Sequence, residues 1–100
     1  MTAIESFREI ALSFPGVEEH PHFDKPSFRF KKKIFATLWE KEQRGMVRLS
    51  IIDQSVFCSN EAFYPVPGGW GRQGATFVDL LKVKKGMLKD ALMTAYKSIK

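Results

Sequence analysis

Pro15-Gly16-Val17-Glu18-Glu19-His20-Pro21-His22-Phe23-Asp24-Lys25-Pro26-Ser27-Phe28-Arg29-Phe30 is the stretch across which the chain changes its periodicity. Before it, Ile4, Phe7, Ile10, Ala11 and Phe14 recur at intervals of three and four, the spacing that places them on one buried stripe of a helix. Thr2 with Glu5 fits a capping box at the start, and Pro15-Gly16 stops the helix. After Pro26 the period becomes two: Phe28 and Phe30, then Ile34, Ala36 and Leu38, then Val47, Leu49 and Ile51. Three antiparallel strands joined by hairpins account for this alternation, with turns at Lys31-Lys32-Lys33 and over the longer polar loop Glu40 to Gly45.

Farther along, Asp53 is placed to cap a short helix through Asn60, with Val56 and Phe57 as its buried contacts. Pro65, Pro67, Gly68 and Gly69 impose a loop, and Ala75 to Leu80 reads as a fourth strand. A last helix begins near Gly86, with Leu88, Ala91, Leu92, Ala95, Tyr96 and Ile99 on its apolar face. Helices at both ends of an antiparallel sheet make an α+β domain, and residues 1–100 with 44% hydrophobic content suit one domain with one core. Phe7, Ile10, Phe28, Phe30, Leu38, Leu49 and Leu92 are expected to be buried.

The apolar runs are far short of the roughly 20 residues of a membrane span, and Met1 to Phe14 lacks the pattern of a secretory signal; a cytoplasmic protein without a membrane partner is expected. Cys58, the single cysteine, cannot form an internal disulfide, and in a short helix next to Phe57 it reads as a small buried hydrophobe. The net charge of +5 is uneven: residues 1–24 carry −4, residues 25–50 carry +6 and residues 51–100 carry +3. A localised basic surface attracts a polyanion through steering and counterion release; the plainer alternative is a solvated, lysine-rich surface.

If Lys31 to Lys33 form a three-residue turn, Phe30 pairs with Ile34 and Phe28 with Ala36, and these four share the face that the helices cover. The opposite face then carries Lys25, Ser27, Arg29, Phe35, Thr37 and Trp39, joined by Met46, Arg48 and Ser50 from the third strand. Cations that meet phosphates beside rings that stack on bases suit nucleic acid. The competing expectation buries Phe35 and Trp39 under the loop from Phe63 to Trp70 or under a helix, and a one-residue slip would exchange the faces.

His20, His22 and Asp24 fall at alternate positions, a weak divalent-metal set with no further ligand to complete it, so no metal or other cofactor is expected. Pro67-Gly68-Gly69-Trp70-Gly71-Arg72-Gln73-Gly74 is glycine-rich but lacks a Gly-Lys-Ser/Thr ending; it reads as a structural turn with Trp70 packed across it and Arg72 available to an anion. No serine, histidine and acid arrangement can be named, and no catalysis is expected.

The stretch from Pro15 to Phe30, together with Ile34-Phe35-Ala36-Thr37-Leu38, Trp70-Gly71-Arg72-Gln73-Gly74 and the closing helix, resembles the MmcQ/YjbR family of small bacterial proteins in content and order over nearly the whole chain. The resemblance implies a YjbR/CyaY-like α+β fold of double-wing type, and it carries the label of DNA binding often attached to that family. The helix and sheet arrangement is also similar to that of secretion chaperones and frataxin-like proteins, which bind protein partners. Two expectations follow. In the first, the domain binds DNA without sequence preference through Lys25, Arg29, Lys31, Lys32, Lys33, Trp39, Arg48 and Arg72, the cations acting on phosphates and the lysine run adding up to about three units of salt dependence. In the second it is an adaptor for a protein or small ligand. Either way a monomer or weak dimer is expected.

Overall fold

The hairpin that organises the sheet turns over two lysines rather than three. In the computed structural model, which describes residues 3–22 and 24–100, strand β2 (Lys25–Phe30) pairs antiparallel with β3 (Lys33–Trp39), and Phe30 lies opposite Lys33. Lys31 and Lys32 form the turn with φ of 51° and 69°, the left-handed pair of a type I′ turn. The expected pairing of Phe28 with Ala36 holds, whereas Arg29 pairs with Ile34. The two registers are reconciled by a β-bulge that leaves Phe35 without a partner on β2. A bulge resets the alternation, and it corrects two assignments: Phe35 is fully buried in the main core, and Ile34 turns to the opposite face.

The sheet has six antiparallel strands in the order β1-β2-β3-β4-β6-β5, with β1 (Val17–His22), β4 (Arg44–Arg48), β5 (Phe63–Pro65) and β6 (Ala75–Asp79) completing it. Two were not anticipated. β1 shows no alternating apolar pattern because it is an edge strand with most of its side chains in water, held by its ladder to β2. β5 is three residues at the other edge, where Pro65 is tolerated because one side of the strand has no ladder to serve.

Helices α1 (Ala3–Ser13) and α4 (Lys85–Ile99) pack on one another and on one face of the sheet, as expected for this α+β class. Thr2, half of the expected capping box, lies outside the described residues, as does Phe23. Of the seven expected core residues, Phe30 alone is half-buried rather than buried; its ring edge meets Tyr96 at 5.3 Å. Tyr96 also stacks on Phe14 at 5.0 Å and donates its hydroxyl to the Pro15 carbonyl at 2.7 Å, tying the end of α1 to α4.

Helix α2 (Ile51–Phe57) starts earlier than expected, because Ser50, not Asp53, is the cap: the Asp53 amide donates to Ser50 Oγ at 3.0 Å. As a consequence Ile51 and Val56, both expected to be buried, point outward with Ile52. Phe57 does pack inward, against Phe63 at 5.2 Å. A one-turn helix, α3 (Gly69–Arg72), stands where a plain turn was expected. Among the described residues no helix is long and apolar enough to cross a membrane.

Candidate nucleic-acid interface

The face of the sheet turned away from α1 and α4 is laid out by the strand register. Lys25, Trp39 and Arg44 form one row across β2, β3 and β4, since Ser27 pairs with Thr37 and Trp39 with Arg44. Ser27, Thr37, Met46, Phe77 and Tyr64 form the next row, and Arg29 with Ile34, then Arg48 with Ala75, the third. The expected grouping of Lys25, Arg29, Trp39 and Arg48 on this face is what the strands produce.

The first row is a stack of cations and rings. Lys25 Nζ lies 4.6 Å from the Trp39 ring centre and the Arg44 guanidinium 4.8 Å, with Arg44 also 3.9 Å over Phe77. Trp39 in turn meets Phe77 edge-on at 4.9 Å and donates its indole N–H to Thr37 Oγ1 at 3.0 Å. Arg44 donates to the Tyr64 hydroxyl at 3.3 Å, while its buried Nε has no partner among the described residues. Sequence reasoning missed Arg44 because it fell inside the polar loop assigned to Glu40 to Gly45; its parity with Met46 and Arg48 was the available signal.

Over the second and third rows lies a cavity of about 480 Å³. Its floor is Ile34, Thr37, Met46 and Ala75, one end is closed by His22, Asp24, Lys25 and Trp39, and the other by Arg48 with Trp70 of α3 and Gln73, the residue that caps its end. Alpha3 is fixed there by Gln54, a buried side chain of α2 whose amide donates to the carbonyls of Gly71 at 2.8 Å and Ala75 at 3.2 Å. A Cβ at Gly71 would run into the Val66 carbonyl, so this close approach of backbone to backbone requires glycine. Trp70, expected to pack across the turn, instead stays 63% exposed at the rim.

A second, more open cleft of about 620 Å³ adjoins the first and shares Ile34, Arg48 and Gln73 with it. It brings together Lys32 and Lys33 of the hairpin with Arg48, next to Ser98 near the end of α4. Of the eight expected binding residues, Lys25, Trp39 and Arg48 therefore line the first cavity, and Lys32, Lys33 and Arg48 the second. Arg29, Lys31 and Arg72 line neither. Arg29 donates to Ser27 Oγ at 3.2 Å, Lys31 Nζ lies 5.4 Å over the Phe30 ring, and Arg72 is exposed on α3.

Asp24 is held below the usual carboxylate range, first by its hydrogen bond from Lys25 at 3.2 Å and also by that lysine's charge. His20 lies apart from the cavity with Nε2 3.2 Å from Glu18 Oε1, so the two histidines do not converge on one site; among the described residues no group of three metal-ligating side chains forms. Cys58 is half-buried against the main core, and burial pushes its thiol pKa up, away from the thiolate form.

No curated protein and no solved structure matches this chain significantly. A family model described as YjbR matches residues 12–98, and the sequence motifs and fold agree with it. The chain belongs to the YjbR family.

Proposed function

We propose that this chain is a non-catalytic, cytoplasmic module that binds nucleic acid without sequence preference on the sheet face opposite its two long helices. The observation that carries this reading is the continuity of an aromatic-lined cavity with a cleft containing Lys32, Lys33 and Arg48. Rings that stack on unpaired bases, next to cations spaced along a groove, are the two components of sequence-tolerant single-strand binding. Phosphate contacts hold the strand, and no recognition helix enters a groove to read base edges.

Fluorescence anisotropy with labelled single-stranded and duplex DNA tests it at about 50 and about 200 mM salt. With three or four phosphate contacts, single-strand affinity should fall roughly 20- to 50-fold between the two. A protein that binds neither DNA nor RNA at the lower salt would sink the reading. The exposed Ile51, Ile52 and Val56 of α2 favour a second reading, an adaptor for a protein partner, which that result would bring forward.

A further inference from the structure

We infer that the cavity beside α3 holds a single nucleobase stacked on Trp70, with the attached phosphate in the adjoining Lys32, Lys33 and Arg48 cleft, so that the unit bound is a nucleoside monophosphate. This rests on the nucleic-acid reading above and names what its central site recognises.

Two large rings border the cavity, and they are not equivalent. Trp39 already carries Lys25 at 4.6 Å and Arg44 at 4.8 Å from its ring centre, and its N–H is spent on Thr37. A base could stack there only by displacing a cation. Trp70 is 63% exposed on a helix held in place by Gln54. It offers a large ring to a planar ligand at little cost in ordering, because its backbone is already fixed.

Volume and polarity agree with that occupant. About 480 Å³ falls within the roughly 300 to 1,000 Å³ of small-molecule clefts, more than one isolated ring requires and enough for a base with its sugar. Ile34, Met46 and Ala75 give the ring an apolar floor. Gln73, shared by both cavities, places an amide donor and acceptor where a base edge would lie. The phosphate is oriented by charge. Asp24, the one carboxylate among the residues lining either cavity, lies beside Lys25 at the Trp39 end of the first cavity and not in the cleft that Arg48 shares with Lys32 and Lys33. Asp24 offsets Lys25 at 3.2 Å, which leaves Arg44 as the unmatched cation at that end, whereas Lys32, Lys33 and Arg48 line the cleft with no carboxylate among them, so the cleft attracts an anion more strongly.

Calorimetric titration with adenosine monophosphate, adenosine and inorganic phosphate tests this, alongside anisotropy of a labelled single strand. The monophosphate should bind more tightly than adenosine or phosphate. Trp70→Ala should weaken both it and the strand by roughly 5- to 150-fold, whereas Trp70→Phe, which keeps a ring, should retain most of the affinity. Because the side chain is exposed, both variants should keep the wild-type circular dichroism. Strand binding without monophosphate binding, or strand binding unchanged in Trp70→Ala, would overturn the base site and leave the nucleic-acid reading standing. Phosphate binding as tightly as the monophosphate would also overturn it. Monophosphate binding lost in Trp70→Ala, in a protein that binds no strand, would keep the site and reject the strand reading instead.

Discussion

Phe28 and Phe30 are two residues apart on one strand and point to the same face, yet they contribute differently. Phe28 is fully buried, tilted against Phe7 at 5.8 Å, at the centre of the layer between α1 and the sheet. Phe30 lies near the hairpin, half-buried against Tyr96 and the left-handed Gly16, and Lys31 reaches over its ring. A truncation leaves a cavity only where neighbours surround the lost ring. Phe28→Ala should therefore cost about 3 to 5 kcal/mol, and Phe30→Ala about 2 kcal/mol, less than a core position would lose. Denaturant midpoints of the two variants decide the matter; equal losses would place Phe30 as deep as Phe28. Alternation in the sequence identifies the face of a residue, but how deep it lies depends on which helix arrives over it.

The hairpin shows at the level of the element what period-two reading can and cannot deliver. Intervals of three and four located the two long helices, and alternation located β2, β3 and β4, because each carries a continuous apolar face. It could not locate β1 or β5, whose partners lie on one side and whose side chains are mostly in water or in a Pro-rich segment. Nor could it see the bulge at Phe35, since an extra residue leaves no mark in an apolar run such as Ile34-Phe35-Ala36. That same bulge delivers Ile34 to the cavity floor, so part of the site was hidden by the defect that builds it. Lys25, Arg48 and the lysine cleft were legible from charge and parity; Trp70 and Gln73 were not, because a glycine-rich string gives no hint that one turn of helix stands there. The turn itself carries a conflict: type I′ geometry favours Asn-Gly, and here two lysines take left-handed φ values. Local rules broken without a structural gain point to function. Replacing Lys31-Lys32 by Asn-Gly should stabilise the fold by about 1 kcal/mol, raising Tm by about 4 to 8 °C, while weakening nucleic-acid binding at low salt. A melting scan showing no gain would mean that the sheet already dictates the turn at no cost.

Across the whole molecule, charge is segregated along the chain and then again by folding. The segment of residues 25–50, at +6, supplies β2, β3 and β4, three of the four interior strands beneath the cavity and its cleft. Of the acids in the first segment, Asp24 sits at the Lys25 end of the cavity and outside the cleft, while Glu19 pairs with Arg8 at 3.1 Å, on the side of the sheet where α1 lies. The field at the cleft therefore comes from a few cations rather than from net charge, and it should be removable in pieces. Replacing Lys31, Lys32 and Lys33 together by alanine tests this. Lys32 and Lys33 line the cleft and Lys31 does not, so the variant should lose about two phosphate contacts rather than three. The slope of log affinity against log salt for single-stranded DNA should flatten by about 1.4 units, at about 0.7 per contact. Stability should hardly change at an exposed hairpin tip, so a lost slope cannot be blamed on unfolding. A triple variant that binds with the wild-type slope would show that strands bypass the cleft, and that the basic hairpin only keeps the protein hydrated.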